Sequence, residues 1–94
     1  MTIADLYAWD ERKRASNLRK HGVDFAIVQN FDFETALVLR DDRKSYGEEH
    51  YRAYGSIHGR LHALVFTRRD ERIRVISLRK SNAREIATYA ASKT

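Results

Sequence analysis

The segment Arg72 to Arg79, reading Arg-Ile-Arg-Val-Ile-Ser-Leu-Arg, constrains this chain more than any other part of it. Regular alternation puts Ile73, Val75, Ser77 and Arg79 on one face of a strand and Arg72, Arg74, Ile76 and Leu78 on the other. Apolar side chains on both faces ask for cover on both, so the strand belongs inside a sheet over at least part of its length. An arginine near the covered end needs a partner, and Glu49 and Glu85 are the acids proposed for an internal ion pair. Arg74 and Arg79 fall on opposite faces unless a bulge intervenes.

Local signals arrange the remaining elements around that strand. Residues 3 to 8 read as a short first strand. Asp10 can accept the free amides of a first helical turn, which predicts a helix over about residues 11 to 20. Lys20 and His21 suit the negative end of its dipole, and Gly22 can take the left-handed conformation that stops it. A second helix is predicted from Asp24, with Val23 and Val28 placed as a hydrophobic staple and Phe25, Val28 and Phe31 as its apolar stripe. Strands are predicted at Thr35 to Leu39, Tyr51 to Ile57, Leu61 to Thr67 and Arg72 to Arg79, with Arg40 to Glu49 as a polar loop and Gly59 at a tight turn. Asn82 and Glu85 have the spacing of a capping box, with Ser81 a competing cap, for a final helix carrying Ile86, Tyr89 and Ala90. The expected fold is α+β: an antiparallel sheet with two N-terminal helices and a C-terminal helix, in one domain over residues 1–94.

Several classes are excluded by composition. Ninety-four residues with 43% hydrophobic residues can bury one modest core. The chain has no cysteine, so it can have neither a disulfide nor a thiolate metal site. No apolar run approaches the length of a membrane span, and a cytoplasmic location without membrane contact is expected. The net charge of +5 is unevenly distributed. Residues 24 to 49 carry seven acids against three bases, net −4, whereas residues 60 to 84 carry eight bases against two acids, net +6. A local basic segment of this kind favours an anionic partner, RNA foremost.

Arginine suits phosphate because its planar fork donates two parallel hydrogen bonds and keeps its charge. In RNA the neighbouring 2′-hydroxyl can attack the scissile phosphate, so cleavage needs charge stabilisation and two proton transfers rather than a metal. His21, His50, His58, His62, Glu49, Glu85 and Tyr89 are the proton-transfer candidates. His58 and His62 flank a turn and read as surface residues, and no metal-binding spacing accompanies them, so no metal or cofactor is expected. Tyr46, Tyr51, Tyr54 and Tyr89 could stack on unpaired bases but suit core or cross-strand positions as well. Trp9 reads as a core anchor.

Trp9-Asp10, Asn17, Lys20-His21-Gly22-Val23 with Phe25, Gly47-Glu48-Glu49, Gly55, Gly59-Arg60-Leu61, Val65-Phe66-Thr67, Arg74-Val75-Ile76-Ser77, Arg79, Glu85 and Tyr89 form an ordered set. Over nearly the whole chain this set resembles the BrnT family of bacterial ribonuclease toxins. The resemblance implies a RelE-like compact α+β fold, metal-independent RNA cleavage that arrests translation, and neutralisation by a BrnA-type antitoxin in a hetero-oligomer. Such antitoxins are typically ribbon-helix-helix proteins, so DNA would be met only through the partner. The family's strongly basic positions fall on Arg68, Arg74 and Arg79, and its other polar positions on Lys20-His21, Glu49 and Tyr89. Two departures are visible: Lys44-Ser45 stands where the family often has histidine before the serine, and His50 where it often has arginine.

The expectation drawn from charge and resemblance together is an endoribonuclease in which Arg68 and Arg79 grip the scissile phosphate. His21, Glu49 or Tyr89 would move protons, and Lys20, Arg60, Arg74, Lys80 and Arg84 would bind along the RNA. The alternative is a non-catalytic basic module that binds nucleic acid or an acidic protein through the same surface. A metal-dependent DNA nuclease would require clustered carboxylates, and the acids lie mostly in one loop.

Overall fold

The structure is a computed structural model and describes residues 6–42 and 47–94. The start of the expected first strand, Tyr46 and the Lys44-Ser45 departure lie outside the described residues.

The sheet has the order β1-β5-β4-β3-β2, with β1 at Tyr7–Ala8, β2 at Leu37–Arg40, β3 at Tyr51–Ile57, β4 at Arg60–Arg69 and β5 at Arg72–Lys80. Strands β2 to β5 form an antiparallel meander, expected for the last three of them. Its two tight hairpins turn at His58-Gly59 and Asp70-Glu71, with all four residues at positive φ. That geometry matches the right-handed twist of the paired strands. The sheet as a whole is mixed, however, because β1 runs parallel to β5, with Tyr7 opposite Ile73 and Ala8 opposite Arg74. The chain leaves β1 through helical segments and returns across the sheet by hairpins, which brings the last strand beside the first in the same direction.

Helix α1 spans Glu11–His21 and begins as predicted: the Asp10 carboxylate accepts the Arg12 amide at 2.7 Å. It ends at Gly22, whose φ of 69° lets its amide reach the Leu18 carbonyl. The second predicted helix is a 3₁₀ helix, Phe25–Asn30. Residues three apart eclipse one another in this tighter coil, so Phe25 and Val28 are buried together within a six-residue element. Helix α2, Ala83–Ala91, starts with the predicted capping box. The Glu85 amide donates to Asn82 Oδ1 and the Asn82 amide to Glu85 Oε1, each at 2.9 Å.

Val23, Phe25, Val28 and Phe31 pack against Ala53, Ile57, Leu64, Phe66, Val75 and Leu78 on one face of the sheet. Trp9 joins this core edge-on to Phe25, at 6.2 Å between ring centroids. Phe31 lies so close to β3 that a Cβ on Gly55 would stand 2.5 Å from its ring. Val75 and Leu78 face the same core although they are three positions apart. The ladder explains this: Val65 pairs with Ser77 and Phe66 with Val75, leaving Ile76 as an extra residue. Beyond this bulge the alternation inverts. The regular assignment of faces therefore fails, and Arg72, Arg74, Ser77 and Arg79 all project away from the core.

Candidate functional site

The bulge and the β4 register assemble a cleft on the sheet face opposite the core. Two cross-strand rows build it: Tyr54, Ala63 and Arg79 in one, Arg52, Val65 and Ser77 in the other. The small Ala63 and Ser77 keep the floor low between the long side chains of β3 and β5. Glu85 of α2 closes one side, and His50 also lines this space of about 240 Å³.

Arg79 donates to both Glu85 oxygens through its two terminal guanidinium nitrogens, each bond 2.7 Å long. This is the internal pair anticipated for the strand arginines, and it is well sheltered: the Glu85 side chain is 11% exposed. Arg79 holds the Glu85 carboxyl below the usual carboxylate range, with the Asn82 amide and the nearby Arg52 charge acting in the same direction against the effect of burial. Arg52 donates to the Tyr54 hydroxyl at 2.9 Å, and its Nε lies 3.7 Å from the fully buried Asp41 carboxylate. The Glu85 carboxylate is thus held by the Arg79 fork, in the bidentate geometry that also receives a phosphate oxygen pair, while Arg52 lines the same cleft and is engaged by Tyr54 and Asp41. Sequence reasoning missed Arg52. Alternation pairs it with Tyr54, but which face of β3 carries the cleft depends on where the helices pack.

A second recess of about 230 Å³ adjoins the cleft and shares Ile76 and Ser77 with it. Lys13, Lys20 and His21 of α1 line its other side. Alpha-helical residues reach this position because β1 stops after two residues, leaving α1 beside the exposed edge of β5. Asn17 completes that edge, its side chain accepting the Leu78 amide at 3.2 Å and donating to the Leu78 carbonyl at 2.6 Å.

The other expected site residues are dispersed. Arg74 shares the Arg79 face but lines a separate recess with Ala8, Arg69, Asp70 and Arg72. Tyr89, one turn beyond Glu85 on α2, donates to the Thr35 carbonyl at 3.3 Å. Arg84 is exposed on α2, and Arg60 is exposed beside the His58-Gly59 turn. Lys80 is exposed and pairs across the ladder with His62, on the face opposite Arg79. The Glu49 carboxylate accepts the Tyr51 hydroxyl at 2.6 Å and faces Arg40 at 3.5 Å.

Arg68 is the clearest displacement. On β4 it shares parity with Leu64 and Phe66, and it pairs with Ile73, so it emerges on the core face. Arg68 and Arg79 thus emerge on opposite faces of the sheet and do not converge in this structure. His62, expected at the surface, is 4% exposed. Its Nδ1 lies 2.8 Å from the Arg60 carbonyl, and burial pushes its imidazole below the ordinary histidine range.

Among the described residues, no group of three or more histidine and acidic side chains is placed to hold a metal ion, and no helix is long and apolar enough to cross a membrane. Residues 9–85 match the family described as ribonuclease toxin, BrnT, of type II toxin-antitoxin system. The chain belongs to the BrnT family. It is accordingly a ribonuclease toxin by family, with an antitoxin as its counterpart. No curated protein matches it.

Proposed function

We propose that this BrnT-family protein cleaves RNA without a metal, at the cleft between Arg52 and Arg79. The observation that carries the reading is the Glu85 carboxylate held bidentately by Arg79 beside Arg52, which marks a ready anion seat. In the reaction, a 2′-hydroxyl attacks the adjacent phosphorus and the 5′-oxygen leaves, giving a 2′,3′-cyclic phosphate. One proton leaves the attacking hydroxyl and another reaches the departing oxygen. The arginines stabilise the added negative charge of the transition state.

His21 serves the proton transfers in this proposal, since its recess opens onto the same Ile76-Ser77 floor. Tyr89 on α2 is a further candidate, its hydroxyl donating to the Thr35 carbonyl, whereas Glu49 is engaged by Tyr51 and Arg40. Lys20 and Arg74 extend the basic track on either side of Arg79, and Arg60 and Arg84 contribute at its margin. Cleavage of cytoplasmic RNA would arrest translation, and a BrnA-type ribbon-helix-helix antitoxin would neutralise it.

The test is incubation of purified protein with RNA in EDTA. Cleavage to cyclic-phosphate ends is expected, and a 2′-deoxy substitution at the scissile nucleotide should block it. RNA that is bound yet remains intact would overturn the nuclease mechanism. A folded Arg79→Ala protein cleaving at the full rate would overturn the site.

A further inference from the structure

We propose that an apolar groove on the core face of the sheet seats an amphipathic helix of the antitoxin, with Arg68 taking a carboxylate from that helix. This inference rests on membership of a type II toxin family, which supplies a protein partner, but not on the RNA-cleavage mechanism.

The groove has a volume of about 480 Å³ and lies at the end of the strands remote from α1's contact with Leu78. Every strand contributes to it: Tyr7 from β1, Ile73 from β5, Phe66 and Arg68 from β4, Tyr51 from β3 and Val38 from β2. Its floor is firm, because Tyr51 stacks on Phe66 at 5.4 Å and Phe33 meets Phe66 edge-on at 5.8 Å. Its two ends are apolar and open, with Leu6 40% and Val38 45% exposed. Those are two of the four large hydrophobic side chains exposed among the described residues.

Arg68 is the cation in this lining, and among the described residues it makes no hydrogen bond or ion pair. A guanidinium over an apolar floor is best matched by a carboxylate on an otherwise apolar ligand, since the floor lowers the local dielectric and strengthens the pair. An RNA strand fits less well: the aromatic rings are packed against one another, and the exposed ends are aliphatic. Crossing five strands means four interstrand steps of about 4.8 Å, or roughly 19 Å. A helix rising 1.5 Å per residue spans that in about 13 residues. The matching segment therefore has apolar residues at i, i+3 or i+4 and i+7, and an acidic residue toward Arg68.

This places the anchor on the side of the sheet away from Arg79, so antitoxin binding and RNA cleavage separate by mutation. The cognate antitoxin, purified, would be titrated against the full toxin chain and against Val38→Asp, Leu6→Asp and Arg68→Glu. Leu18→Asp, on an exposed α1 position 45% accessible, is the control outside the groove. Each groove variant should weaken Kd by about tenfold or more, the loss expected of a central interface residue. The control should stay within about threefold of wild type. Reversing one acidic residue of the antitoxin helix to lysine should restore binding to Arg68→Glu.

Melting curves establish which variants fold; Val38 and Leu6 lie at opposite ends, so either one alone decides. Unchanged Kd in a folded Val38→Asp or Leu6→Asp protein overturns the proposal. So does sedimentation showing that these variants disrupt a toxin homodimer while antitoxin affinity is retained, which would assign the groove to a second copy. RNA cleavage by folded Val38→Asp and Leu6→Asp should equal that of wild type. If wild-type toxin cleaves no RNA, the nuclease reading falls while the binding titration still decides the groove.

Discussion

Asn17 acts toward Leu78 as a piece of β-strand. Its Oδ1 accepts the Leu78 amide at 3.2 Å while its Nδ2 donates to the Leu78 carbonyl at 2.6 Å, and a further bond runs from Nδ2 to the Val23 carbonyl. The side chain replaces the neighbour that β5 lacks where β1 ends, and it ties α1 to the sheet. Asn17→Ala should leave buried backbone groups unpaired and cost about 3 kcal/mol. That loss lowers Tm by roughly 15 °C in a domain of this size. Asn17→Asp should be no milder, because it sets a carboxylate oxygen against two carbonyls. Thermal melts check both; a change of only a few degrees would show that water substitutes for the amide.

The Asp70-Glu71 hairpin offers the opposite opportunity. Both residues have positive φ, 53° and 62°, a region in which a Cβ meets the following carbonyl. The equivalent turn between β3 and β4 has glycine at its second position, Gly59, and relieves part of that cost. Glu71→Gly should stabilise the protein by about 0.5–1 kcal/mol, the steric relief exceeding the added chain entropy of glycine. Urea titration should show a higher midpoint at unchanged slope. A lower midpoint would mean that the glutamate side chain contributes more than its backbone strain costs.

The parts of this fold legible in the sequence are those decided within a turn of the chain. Asp10, Gly22, Asn82 and Glu85 act on backbone groups two to four residues away, and all four occupy the roles their local chemistry dictates. Residues 72–80 were legible as a strand but not in their faces. The extra Ile76 depends on how β4 pairs with β5, and neither glycine nor proline marks it. The same limit hid Arg52 and misplaced Arg68, since parity says which residues share a face and packing says which face is the cleft. His62 illustrates it again, being beside a turn in sequence yet covered in the structure.

Asp24 makes stability depend on acid. Arg14 binds both its carboxylate oxygens, at 2.8 and 2.9 Å, and the Ala26 amide donates to one of them at 2.9 Å. Arg14 above all, with that amide, pulls the carboxyl from its ordinary 3.8 down to about 2. Because the folded value is the lower one, the charged form stabilises the fold above pH 3.8 and that contribution disappears as pH falls through about 2. Asn caps a helical turn as well as Asp does, so Asp24→Asn isolates the charge. Its deficit in Tm against wild type should be constant near neutral pH and shrink steadily between pH 4 and about 2. A deficit independent of pH would place the effect in packing rather than in the ion pair.

The bulge at Ile76 makes neighbouring cations on β5 unequal toward RNA. Arg74 and Arg79 share the face that carries the cleft, while Lys80, adjacent to Arg79 in sequence, lies on the opposite face opposite His62. Lys20 lies with His21 in the recess that shares the cleft floor. Each cation that neutralises a phosphate releases counterions, and its loss lowers the slope of log affinity against log salt by about 0.7 for single strands. Arg74→Gln and Lys20→Gln should each flatten the slope by roughly that amount, whereas Lys80→Gln should leave it unchanged. Fluorescence anisotropy with a single-stranded RNA across a salt series measures all three. Equal flattening by Lys80→Gln would show that RNA wraps around the strand end, and the two faces would then act as one basic surface.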